Sequence, residues 1–134
     1  MKEYAPSNNY AYQSIDMPVI AGNNTSSLHA QKLIIDAEKF INNNFNKPID
    51  LHSVADFIHL NPTYFSHLFR QVTGYTFKKY LTQLRIEKAI ELLSESSLTV
   101  TEISKQVGYD DSNYFSRAFK KVTGFPPSHY NKLK

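Results

Sequence analysis

The sequence predicts an all-α protein of about seven helices, in which two helix-turn-helix subdomains are joined by a long central helix. Three observations predict it. The chain repeats itself at a spacing of 50 residues, each copy is preceded by its own helix-start signals, and an uninterrupted helical pattern lies between the copies.

The repeat lays Tyr64-Phe65-Ser66-His67-Leu68-Phe69-Arg70-Gln71-Val72-Thr73-Gly74 over Tyr114-Phe115-Ser116-Arg117-Ala118-Phe119-Lys120-Lys121-Val122-Thr123-Gly124, with seven of eleven pairs identical. Tyr80 meets Tyr130 in the same register. Such a match in so short a chain marks a duplicated supersecondary unit.

Start and stop signals divide each copy. Asp50 is placed to cap a helix with Leu51, Val54, Ala55 and Ile58 on its apolar face, and Thr99 with Glu102 makes a capping box ahead of a face formed by Val100, Ile103, Ser104 and Val107. Turns follow at His59-Leu60-Asn61 and Gly108-Tyr109-Asp110. Asn61 and Asp111 then cap the second helices, with Pro62 at a first helical position where its missing amide hydrogen costs nothing. Gly74 and Gly124 supply the left-handed residue that closes each.

Before the repeats, Leu33, Ile34, Ala37, Phe40 and Ile41 define a first helix from Ser27 into the Asn42-Asn43-Asn44 run. Residues 1–26 show neither helical nor strand periodicity and are read as a flexible leader or linker. The expected organisation is therefore residues 27–75 as the first subdomain, 76–95 as the connecting helix and 96–134 as the second subdomain. The connector carries Phe77, Tyr80, Leu81, Leu84, Ala89, Ile90 and Leu93 inward, and Pro126-Pro127 opens a short last helix.

Composition narrows the function classes. With 134 residues and no cysteine, the chain offers no disulfide scaffold, thiolate zinc site or thiol catalysis. No long apolar run and no secretory leader is visible, which reads as a soluble cytoplasmic protein with no membrane partner. The net charge is +3, divided as −1 over residues 1–50 (four Lys/Arg, five Asp/Glu) and +4 over residues 51–134 (eleven against seven). A mildly basic C-terminal part is compatible with a polyanionic partner.

The second helix of each copy separates its faces. Phe65, Leu68, Phe69 and Val72, like Phe115, Ala118, Phe119 and Val122, are expected inside; their spacing reads as core rather than as a base-stacking platform. Outside stand Thr63, Ser66, His67 and Arg70 on one helix and Asn113, Ser116, Arg117 and Lys120 on the other, with no acid among them. Hydroxyls, an amide, an imidazole and a guanidinium suit base edges in a major groove, where a carboxylate would be repelled by phosphate. Thr63, Ser66, His67, Asn113, Ser116 and Arg117 are thus the candidate base readers, with Arg117 the strongest. Arg70, Lys120 and Lys121 are the candidate phosphate contacts. A connector of roughly 17 residues spans about 26 Å. That is somewhat short of the roughly 34 Å between successive major-groove faces, so one monomer is expected to place its two recognition helices in adjacent grooves of an asymmetric site about two turns long, with DNA bending as one way to make the fit.

These residues resemble the DNA-binding domain of the AraC/XylS family of bacterial transcription regulators over roughly residues 30–131. The likeness is most specific from Gly108-Tyr109-Asp110 through Tyr114 to Lys121, then at Gly124-Phe125-Pro126-Pro127 and Tyr130. Arg85, Ala89 and the Leu92-Leu93 pair fit the connecting helix. The resemblance implies binding of double-stranded promoter DNA as an activator or repressor, the same six base-reading residues, and RNA polymerase as a partner. It also implies a separate sensor, receiver or dimerisation domain, for which 26 leader residues leave no room, so the chain is either a stand-alone regulator or a fragment. No cofactor is implied.

Other constellations carry less. His52, Asp56 and His59 share a helix face but find no fourth metal ligand, and Asp110-Asp111 serve a turn and a cap rather than a catalytic pair. Arg85 is expected to pair with a carboxylate such as Glu102 or Asp56. Lys78, Lys79 and Lys88 read as a solvated face, with the DNA backbone as the alternative. A helical adaptor that binds protein is the second function class; an enzyme, lacking a phosphate loop or nucleophile set, is the weakest.

Overall fold

A computed structural model describes residues 24–131, with side chains from residue 28 onward. These contain six α-helices: α1 (Asn24–Asn44), α2 (Leu51–Phe57), α3 (Pro62–Thr73), α4 (Phe77–Glu95), α5 (Val100–Gln106) and α6 (Ser112–Thr123). A 3-10 turn over Pro127–Tyr130 follows, and no strand occurs among the described residues. The expected all-α class with two helix-turn-helix copies, α2–α3 and α5–α6, is observed.

Helix α1 starts at Asn24, three residues before the expected Ser27. Its first turn, Asn24 to Ser27, is wholly polar, so apolar periodicity gives no signal there. The helix ends as its asparagines suggest. Asn42 and Asn44 donate from Nδ2 to the carbonyls of Glu38 and Phe40, both at 2.8 Å, satisfying acceptors that a helix end leaves open.

The described residues form two compact units. The N-terminal unit comprises residues 24–44 and Ile49–Tyr80; the C-terminal unit comprises Phe45–Pro48 and residues 81–131. Within the N-terminal unit Ile34, Ala37 and Ile41 of α1 are fully buried, as are Val54, Ala55, Phe65 and Phe69. Phe69 meets Phe65 at 5.6 Å and Tyr80 edge-on at 5.2 Å between ring centroids. Such edge-to-face pairs add to area burial.

The C-terminal unit repeats this packing. Phe119 meets Phe115 at 5.7 Å and Tyr130 at 5.5 Å, over a core that includes Ile86, Leu93 and Ile103. The Tyr80/Tyr130 match in sequence is therefore a match in packing. Phe77, the first residue of α4, corresponds to buried Pro127, which opens only a 3-10 turn. Ile86 is buried although the expected inner face of the connector omits it, because a helix that feeds two cores carries apolar residues on more than one side. Ile90 is half-buried.

The shared Val-Thr-Gly endings also gain a structural reason. Thr73 and Thr123 are buried; their hydroxyls donate to the carbonyls of Phe69 and Phe119 at 2.7 and 2.9 Å and accept from the amides of Tyr75 and Phe125 at 3.0 and 3.1 Å. Each threonine ties the last helical turn to the segment that leaves it.

Candidate nucleic-acid interface

Two local devices set the start of each outward-facing helix. Asn61 Oδ1 accepts from the amides of Thr63 and Tyr64 at 2.8 and 3.2 Å, and Asp111 Oδ1 accepts from those of Asn113 and Tyr114 at 2.9 and 3.4 Å. These bonds fulfil donors that the first turn of a helix cannot pair internally. At the far ends Gly74 and Gly124 adopt φ of 84° and 90°, as their positions in the sequence require.

The turns before α3 and α6 are the same motif with one residue of difference. The Leu60 amide donates to Ala55 and the His59 amide to Asp56; likewise Tyr109 donates to Ser104 and Gly108 to Lys105. This is the Schellman pattern, which puts a left-handed residue at His59 (φ 60°) and Gly108 (φ 106°). After it, the second copy inserts Asp110 before its cap, so the repeat runs at a spacing of 49 through α2/α5 and 50 through α3/α6.

On α3, Thr63, Ser66, His67 and Arg70 are all exposed at i, i+3, i+4 and i+7, while Phe65, Leu68, Phe69 and Val72 are buried. On α6, Asn113, Arg117, Lys120 and Lys121 are exposed and Ser116 is half-buried. Phe115 and Phe119 are buried, whereas Ala118 and Val122 are partly so. Each helix thus brings its own set of candidate residues onto one side. Neither helix contains an acid, and α6 carries three cations against one on α3.

Two exposed aromatics were not among the sequence-derived candidates. Tyr64 and Tyr114 remain 53 % and 49 % exposed beside the polar stripes, and the Arg117 guanidinium lies 5.9 Å from the Tyr114 ring centroid. The signal for this pair was present: Tyr114 and Arg117 stand three residues apart on one helix, a spacing at which side chains meet.

The expected ion pair of Arg85 is replaced by a different arrangement. Its Nε donates to the Phe45 carbonyl at 2.7 Å and its terminal nitrogen to the Lys47 carbonyl at 2.9 Å, and the guanidinium carbon lies 5.4 Å from the Tyr109 ring centroid. The fork of guanidinium donors suits two neighbouring carbonyls as well as it suits a carboxylate. Burial lowers the Arg85 pKa, opposed by Tyr109, and burial raises that of the Tyr109 phenol against the pull of Arg85 and Thr82.

A family model described as a helix-turn-helix domain matches residues 54–133. The C-terminal domain of AraT, a response regulator from Geobacillus stearothermophilus, is 39 % identical and superposes with a TM-score of 0.73 over 76 % of this chain and 85 % of that one. This chain belongs to the AraC/XylS family. Among AraC/XylS members, the arabinose operon regulatory protein of Salmonella typhimurium is 38 % identical over 96 residues, 71 % of this chain and 34 % of that protein. The chain spans about a third of the length of the curated relatives it matches. The DNA-binding domain of AdpA, a global transcriptional factor solved in complex with a target DNA, shares the AraC/XylS fold at 20 % identity, with a TM-score of 0.71 over 75 % of this chain and 90 % of that one. Among the described residues no helix is long and apolar enough to cross a membrane.

Proposed function

We propose that this chain binds double-stranded promoter DNA sequence-specifically, seating α3 and α6 in successive major grooves, and so regulates bacterial transcription. The observation that carries the reading is the pair of capped, acid-free helices whose polar stripes are exposed while their aromatic faces are buried. Thr63, Ser66 and His67 from α3 and Asn113, Ser116 and Arg117 from α6 are the base readers. Arg70, Lys120 and Lys121 neutralise phosphates and set register. The two reading units are residues 27–75 and 96–134, connected through 76–95.

RNA polymerase is the second partner, and a sensor, receiver or dimerisation domain belongs with these residues in the working regulator. The relatives, of which the matched segment is only about a third, support that arrangement.

The test is selection from a randomised duplex pool, followed by affinity measurement at two salt concentrations. A specific reader keeps a preferred sequence and weakens steeply as salt rises. Indifference to both sequence and salt overturns the reading. In the same assay Arg117→Ala costs about 1–3 kcal/mol on the preferred sequence and less on unrelated DNA.

A further inference from the structure

We propose that Tyr114 is a specificity-determining positioning residue that holds the Arg117 guanidinium ready for a base edge, with Tyr109 and Arg85 holding Tyr114 in turn. This rests on the DNA-reading function above and deepens it at one residue.

The contacts form a continuous stack within the C-terminal unit. Arg117 lies 5.9 Å from the Tyr114 ring centroid. Tyr114 meets Tyr109 at 5.9 Å with the rings at 83°, and Tyr109, only 8 % exposed, also packs on Phe115 at 5.4 Å. The Arg85 guanidinium lies 5.4 Å from the Tyr109 ring centroid, and two of its nitrogens donate to the Phe45 and Lys47 carbonyls. The stack is thus anchored at one end to backbone and exposes an arginine at the other.

An exposed arginine has several rotatable bonds, and ordering them on binding subtracts from affinity. Holding the guanidinium near its bound position beforehand removes part of that cost, and the ring face attracts the cation while leaving its N–H edge free to donate. The first copy lacks the device. It keeps Tyr64 where Tyr114 stands, but His67 replaces Arg117, and Leu60, which has no ring, fills the place of Tyr109 in the equivalent turn. The duplicated frame therefore carries a preorganised reader in the second copy and an unbraced one in the first.

A double-mutant cycle on the full chain tests this. On the selected sequence, Tyr114→Leu lowers affinity about 2–5-fold and lowers it more than on unrelated DNA, whereas Tyr114→Phe, which keeps the ring, binds like the parent. In an Arg117→Ala background the further loss from Tyr114→Leu disappears. In the free protein, the NMR order parameter of the Arg117 side chain falls in Tyr114→Leu and not in Tyr114→Phe. Equal losses with and without Arg117, or a loss in Tyr114→Phe that is the same on every sequence, overturn the positioning role and leave the DNA-reading function standing. A parent protein that shows no preferred sequence overturns that function and this role together.

Discussion

Arg85 Nε donates to the carbonyl oxygen of Phe45 at 2.7 Å, joining residues forty positions apart in the chain. The same guanidinium reaches Lys47 at 2.9 Å, so one side chain on α4 fastens the segment that follows α1 to the C-terminal unit. Phe45, partly buried, packs against the core of that unit.

Removing this clasp leaves the Phe45 carbonyl without its donor in a partly buried place. Arg85→Met is expected to lower unfolding free energy by about 1.5–3 kcal/mol, with the solvent-exposed Lys47 bond contributing the smaller share. Arg85→Lys recovers less than half of the loss, because a single ammonium does not span both acceptors as a planar fork does. Urea denaturation of the three proteins decides it; a lysine variant as stable as the parent refutes the fork argument.

Gly108 faces the same clasp. A Cβ built there falls 2.8 Å from the Phe45 carbonyl oxygen and 2.9 Å from Arg85 Nε, at a φ of +106°. Gly124, at +90°, has nothing within 4 Å of such a carbon. Gly124→Ala therefore meets only the left-handed backbone cost, about 1–2 kcal/mol. Gly108→Ala adds displacement of Arg85 and is expected to cost about 2–4 kcal/mol. Chemical denaturation ranks them, and equal costs would show that the clasp yields without penalty.

Glu102 closes the capping box of α5 by accepting from the Thr99 amide at 2.8 Å. That backbone bond, followed by the Thr99 side chain, holds the Glu102 pKa below the ordinary glutamate value. A depressed carboxylate pKa contributes stability that is fully present above the unfolded value and lost as pH falls through the folded one. Wild-type protein should thus exceed Glu102→Gln in melting temperature at pH 6, and the gap should close on acidification below the glutamate range. A gap that widens toward low pH contradicts the assignment.

Much of this was legible in the chain because it is local. The caps at Asp50, Asn61, Thr99 and Asp111 and the glycine stops at 74 and 124 act over two to four residues, so residue type and spacing specify them. The same holds for the candidate stripes, since helical phase alone puts Thr63, Ser66, His67 and Arg70 opposite Phe65 and Phe69. The partner of Arg85 was not legible. A charged side chain in a sequence suggests an opposite charge, yet its acceptors are uncharged carbonyls, which every residue carries and which composition cannot single out. The braces Thr73 and Thr123 were open to discovery, because buried hydroxyls at identical repeat positions need acceptors one turn back.

What the amino-acid order determined by itself was the duplication, the helix limits at their caps and stops, and the polar face of each copy, because all three follow from short-range steric and hydrogen-bonding rules. What only the tertiary structure decided was the closure of residues 45–48 upon Arg85 and the need for glycine at 108. It also decided the stack from Arg85 through Tyr109 and Tyr114 to Arg117. Those relations join residues with no periodic link in the chain, and they arise only once packing brings a backbone carbonyl, a guanidinium and an aromatic ring to the same few ångströms.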